Sequence, residues 1–386
     1  MGLGLFRLVL SLWVIDHHYT LSERLVGPFV INAFGERHLG LLKIGHIAVI
    51  SFFVLSGYVI TWVLKSKYPQ NKAGITAFFI GRAIRIYPLY WAIFASYMAV
   101  LFWVPGVVSE DELISFSSPG RLVGDFLLFP YGIAGFFLTN NHYAYGMINL
   151  PAWTLPYDLV FYLVAPWMVM KKRILLAIIV LELLYLLSLS QLAPVPQFKS
   201  WHSLYLTSGH AQLLAFSMGA MAWYFRDIRI PAWLLGGAIA FMLYLVFVPY
   251  KLTDLYLNHL LVILLTVIVV IGLKKRNRLD NLLGELTYST YLLHMPLLMI
   301  LMSTGLVHPS IIALGVTYII SPLVIKYFES PLDKRRKTIT GNRLKMAKND
   351  PLTSSSSGRY IVATIFIYIV ISGGYNLYWI SVNGVI

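Results

Sequence analysis

Apolar runs of bilayer length recur from one end of the chain to the other, and no other feature restricts the fold as much. A helix needs about 20 mainly apolar residues to cross a hydrocarbon core about 30 Å thick. Such runs occupy residues 3–22, 41–64, 80–103, 153–170, 174–191, 208–225, 232–250, 255–273, 283–304, 309–327 and 360–380. Charge content agrees. Only 12% of the 386 residues are charged, where soluble domains carry about 25%. The expected fold is all-α and polytopic, with ten core transmembrane helices and one additional C-terminal helix.

The formal net charge of +14 is carried by short loops between these runs. Lys65, Lys67 and Lys72 follow the second run, Lys171, Lys172 and Arg173 the fourth, and Arg226 and Arg229 the sixth. Lys274, Lys275, Arg276 and Arg278 come next, then the stretch Lys334 to Lys337. Cations so distributed obey the positive-inside rule. They report topology, and no nucleic-acid partner is expected. With every basic loop cytoplasmic, the N-terminus is cytoplasmic and the C-terminus external. One segment resists this path. Residues 121–138 (RLVGDFLLFPYGIAGFFL) are apolar, but Asp125, Pro130 and interior glycines make a poor continuous helix. A crossing there would also put Lys171 to Arg173 outside, so the segment is expected to be re-entrant or interfacial on the external side. Residues 1–332 are then the membrane domain, 333–359 a basic cytoplasmic linker and 360–386 the added helix. The absence of cysteine excludes disulfides, thiolate metal sites and a cysteine acyl-enzyme.

Polar residues inside the spans carry the functional signal, because a charge near the bilayer centre costs about 2.5–3.5 kcal/mol on insertion scales. Arg7 and His18 share one face of the first span, about 16 Å apart along it. Arg7 could also snorkel to the headgroups. In GRAIRIYPLYW, Arg82 and Arg85 share a face at the cytoplasmic end of the third span. Their planar forks suit phosphates, although two arginines there also satisfy the positive-inside rule. Asp158 lies behind Trp153 and Pro156 in the fourth span. Its expected partner is a histidine at matching depth, namely His18. Tyr288, Tyr291 and His294 line the start of the ninth span, and Glu329 ends the tenth, where Pro331 is expected to stop the helix.

Read in order, these segments resemble the membrane-bound acyltransferase-3 family. The resemblance rests on Arg7 and His18 with ten residues between them, FFVLSGYVIT at 52–61 and GRAIRIYPLYW at 81–91. It continues through WTLPYDLVFYLVAP at 153–166, LGELTYSTYLLH at 283–294 and KYFESPL at 326–332. It implies a bacterial inner-membrane enzyme that moves an acyl group, most often acetyl from acetyl-CoA, onto a hydroxyl of an extracytoplasmic polysaccharide or glycolipid. By motif, His18 is the catalytic histidine, Arg7 its companion, and Arg82 and Arg85 the donor-binding arginines. Asp158 stands where the family more often has glutamate, and Leu8 follows Arg7 where glycine is common.

The residues themselves suit this chemistry. Acyl transfer needs a base and donors for the developing oxyanion, and a histidine's ordinary pKa of about 6.5 fits the base. No metal or bound cofactor is expected, since acyl-CoA is a substrate. The competing expectation is a polytopic transporter or flippase of a lipid-linked or acyl-carrying substrate. Trp153, Trp201, Tyr143 and Tyr145 could stack on sugar rings or simply form an interfacial aromatic belt.

Overall fold

The computed structural model describes residues 2–21, 44–104, 106–128, 130–131, 133–134, 147–192, 209–247, 255–273, 277–347 and 356–383. Among these there is no strand, and each expected span is helical over most of its described residues. In chain order the helices are α1 (Leu3–Tyr19), α2 (Ile44–Lys67), α3 (Lys72–Trp103), α4 (Glu110–Phe116), α5 (Pro119–Leu127) and α6 (Leu155–Met168). They continue as α7 (Lys172–Leu192), α8 (Gly209–Tyr224), α9 (Ala232–Phe247), α10 (Leu255–Gly272), α11 (Arg278–Ser303), α12 (Pro309–Val324), α13 (Ser330–Ala347) and α14 (Ser356–Asn383). Five stretches are long and apolar enough to cross a membrane by length and composition: Ile44–Lys67, Lys72–Trp103, Arg278–Ser303, Pro309–Lys345 and Tyr360–Tyr378. The protein is an all-α, multi-pass membrane protein. Trp201, Tyr143 and Tyr145 lie outside the described residues.

Caps explain where two helices begin. Asn71 accepts from Gly74 N at 2.9 Å, so α3 starts at Lys72 rather than near residue 80. Asn277 likewise accepts from Asp280 N at 2.7 Å and starts α11 at Arg278. The first turn of α1 has no side-chain cap of its own. Asp280 of α11 fills that role, accepting from Gly4 N at 3.1 Å and Leu5 N at 2.9 Å. A carboxylate at a helix N-terminus also complements the helix dipole.

Glycine permits a close helix crossing between α2 and α8. A Cβ on Gly57 would lie 2.0 Å from Phe216 O, and one on Gly219 would lie 1.8 Å from Val54 O. Backbones that approach this far gain dispersion contacts, which drive association where lipid offers no hydrophobic gain. The segment near 121–138 is helical over Pro119–Leu127, and its nine residues span about 14 Å, too short to cross. It docks on α3, whose Tyr87 and Tyr90 hydroxyls and Trp91 indole donate to the carbonyls of Leu127, Asp125 and Phe126.

Pro331 does not stop the tenth expected span. A π-helical turn at Ile325–Glu329 leads directly into α13. Proline in a helix loses one backbone bond and crowds the carbonyl four residues back, and the wider π turn just before it relieves that crowding. Residues 333–347 of the expected linker are therefore helical. At the other end of the chain, α14 is pinned by a buried polar chain. His210 Nδ1 lies 2.9 Å from Glu182 Oε2, and His210 Nε2 lies 3.1 Å from Ser372 Oγ.

Candidate functional site

Helices α1, α2, α3, α6, α11 and α13 surround a cavity of about 520 Å³. Its lining along α2 runs from Val49 to Lys67, about 27 Å of helix. One end of the bundle carries Lys65, Lys67, Lys171 and Arg278, and is called here the basic end. Lys65 Nζ donates to Met170 O at 3.1 Å and ties the ends of α2 and α6 together there. The cavity wall carries Arg7, Lys67, Arg82, Arg85, Arg336 and Lys337 against one carboxylate, Asp158. Such an excess of cations in a low-dielectric recess draws in anions.

The cations are not equivalent. Arg85 Nη1 is held by Glu329 Oε2 at 3.0 Å, so the two sequence-selected groups neutralise each other. Arg82 is packed between aromatic faces, its guanidinium carbon 5.6 Å from the Phe78 ring centre and 5.9 Å from that of Tyr162. Its Nε is buried without a partner among the described residues. Arg7 sits beside Gly284, where the lack of a side chain lets α1 and α11 approach.

Asp158 and His18 do not meet. Ser56 Oγ donates to Asp158 Oδ1 at 2.8 Å, and Tyr162 and Arg82 stand nearby. His17 packs on Gly45 at the start of α2. His18 is therefore about 16 Å of helix from the level of Ser56. The pairing expected from matching depth fails because α6 begins with a 3₁₀ turn, Leu150–Thr154, that starts inside the bundle. What His18 does face is His294, at a ring-centre distance of 5.3 Å. His294 Nδ1 lies 2.8 Å from Tyr291 O, and its buried Nε2 has no partner among the described residues. The Tyr19 hydroxyl fixes this turn of α11 by donating to His294 O at 2.7 Å.

Tyr291 stands between the two groups. Its ring lines the cavity and lies 6.2 Å from the His294 ring. Its hydroxyl is 2.6 Å from Thr154 Oγ1 and also reaches Pro151 O. The structure thus gathers Arg7, Arg82, Arg85, Asp158, Tyr288 and Tyr291 around the cavity, and His18 with His294 one helical turn beyond Tyr291. Trp153 is buried behind the wall, its ring 6.1 Å from that of Tyr157. Glu329 is outside the cavity lining and holds Arg85. Sequence reasoning missed Ser56, Tyr162, Arg336 and Lys337. Ser56 lies inside the quoted FFVLSGYVIT stretch, and Glu182 is a carboxylate mid-span that the cost of intramembrane charge already marks.

Fold and cavity define an integral membrane protein with an interior, cation-lined chamber. Residues 2–328 match the family described as "Acyltransferase domain", and the chain belongs to that family. Among curated proteins it is similar to "Acyltransferase MdmB" of Streptomyces mycarofaciens, with 31% identity over 157 residues, 38% of this chain. The match spans about a third of that relative's length, 34%. No solved structure matches the chain.

Proposed function

We propose that the protein transfers an acyl group, acetyl in the simplest case, from cytoplasmic acyl-CoA to a hydroxyl of an extracytoplasmic polysaccharide or glycolipid. The basic end faces the cytosol of a bacterial inner membrane, with the N-terminus on that side and the C-terminus outside. One observation carries this reading: a cavity lined by cations at the basic end reaches to one helical turn from a pair of imidazoles set toward the opposite end.

The nucleotide part of the donor stays among the cations while its neutral acyl arm extends past Ser56 and Asp158 toward Tyr291. His18 takes the proton of the acceptor hydroxyl, and the oxygen attacks the thioester carbonyl. Collapse of the tetrahedral adduct breaks the carbon–sulfur bond, and the thiolate leaves with the proton returned by the imidazolium. His294, beside His18, orients it. Tyr291, which lines the cavity with its ring 6.2 Å from that of His294, serves the oxyanion. Arg7, far along α1 from His18, steadies the anionic donor instead.

The test uses purified protein in nanodiscs, acetyl-CoA and candidate glycans, with release of free CoA thiol as the signal. His18→Ala is expected to abolish release while donor binding persists. Full turnover by that variant would reject His18 as the base, and no release with any hydroxyl acceptor would reject the reaction.

A further inference from the structure

The family match ends at residue 328, but the helix does not. Carried across the π turn, α13 places Arg336, Lys337 and Thr340 on the cavity wall at its basic end. Their spacing, with Gly341 and Leu344 following, puts one face of α13 on the cavity. Thr340 packs against Gly81 of α3, where an added Cβ would lie 3.3 Å from the Thr340 methyl, so this face of α13 is held against α3.

The two cations are presented as a pair. Asp333, one turn back, reaches Arg336 and lies 2.8 Å from Lys337 Nζ. One carboxylate between two cations orients both and leaves a net positive charge. Arg336 is 21% exposed and Lys337 73%, so one faces inward and the other outward at the opening. Arg85, by contrast, is already engaged by Glu329.

We infer that α13 is a donor-recognition element whose Arg336 and Lys337 bind a phosphomonoester, the 3′-phosphate on the nucleotide of the acyl donor. This rests on reading the cavity as the acyl-CoA site. The polyanionic end of such a donor follows the cations to the opening, and its neutral acyl end lies inward. A phosphomonoester carries about −1.5 to −2 charges near neutral pH, which two cations match. Phosphates of bilayer headgroups share this chemistry, and the nucleotide comparison below separates the two sources.

The experiment measures binding of CoA and of 3′-dephospho-CoA to the full chain in nanodiscs. The wild type is compared with Arg336→Gln/Lys337→Gln and with Asp333→Asn. The wild type is expected to prefer CoA by about tenfold or more, as loss of charge-assisted contacts implies. The double variant is expected to lose that preference while 3′-dephospho-CoA weakens by no more than a few-fold. Asp333→Asn, which keeps both cations, is expected to tighten CoA more than 3′-dephospho-CoA. A double variant that still prefers CoA overturns the inference. So does equal weakening of both nucleotides, the result expected if these cations hold the fold, and so does unchanged binding of both, the result expected if they serve headgroups. Equal wild-type binding of the two nucleotides overturns only the 3′-phosphate assignment. A wild type that binds neither overturns the acyl-CoA reading itself.

Discussion

Ser56 and Asp158 show how a carboxylate is tolerated deep in an apolar bundle. Asp158 is met by the Ser56 hydroxyl at 2.8 Å, with Tyr162 and Arg82 close by. Ser56→Ala removes one donor, and a buried acceptor left short costs about 1–3 kcal/mol. Its thermal unfolding midpoint in detergent is expected to fall. Asp158→Asn keeps an acceptor for Ser56 and removes only the charge. The fold is expected to survive, and the cavity, now without its carboxylate, is expected to bind an anionic donor several-fold more tightly by calorimetry; weaker binding would refute this electrostatic account. Arg7, Arg82, Arg85, Asp158, Tyr288 and Tyr291 were legible in the sequence because charge and hydroxyl clusters inside apolar spans stand out. The partner of Asp158 was not. Depth along a span can be counted from residue numbers, but which helix lies alongside depends on packing that periodicity does not encode.

At the scale of elements, the α2–α8 crossing depends on two glycines facing each other's backbone. Gly219→Val would drive a side chain into Val54 O, 1.8 Å from the ideal Cβ position. The obstacle is backbone and cannot rotate away. A loss of about 3 kcal/mol or more is expected, read as a collapse of the monodisperse peak in size-exclusion chromatography. Asp280→Ala tests the borrowed cap of α1. Two backbone donors lose their acceptor, at a cost of about 0.5–2 kcal/mol, and faster hydrogen exchange is expected at Gly4 and Leu5 with little change elsewhere. Span positions were readable because twenty-residue apolar runs admit few alternatives. The continuation of α12 into α13 was not, since Pro331 argues for a stop unless a π turn precedes it.

For the whole molecule, net charge and cavity charge have the same sign. The +14 balance marks the basic loops, and the chamber that opens among them is lined by arginine and lysine. Salt screens this attraction, with a Debye length falling from about 10 Å at 0.1 M to about 3 Å at 1 M. Raising sodium chloride across that range is expected to increase KM for acetyl-CoA several-fold while leaving kcat nearly constant in the thiol-release assay. A salt-independent KM would mean that the cations serve topology alone.

The chain of contacts from Glu182 through His210 to Ser372 has a consequence for where the folded unit ends. Glu182 and His210 belong to the family-matched part, while Ser372 belongs to the last helix. Cut the protein after Ala347, and an acid and an imidazole in the membrane interior lose the wall that shields them from acyl chains. The terminal segment thus behaves as the closing stave of the helical bundle, and a shortened chain is expected to leak water, pair with itself or fail to accumulate.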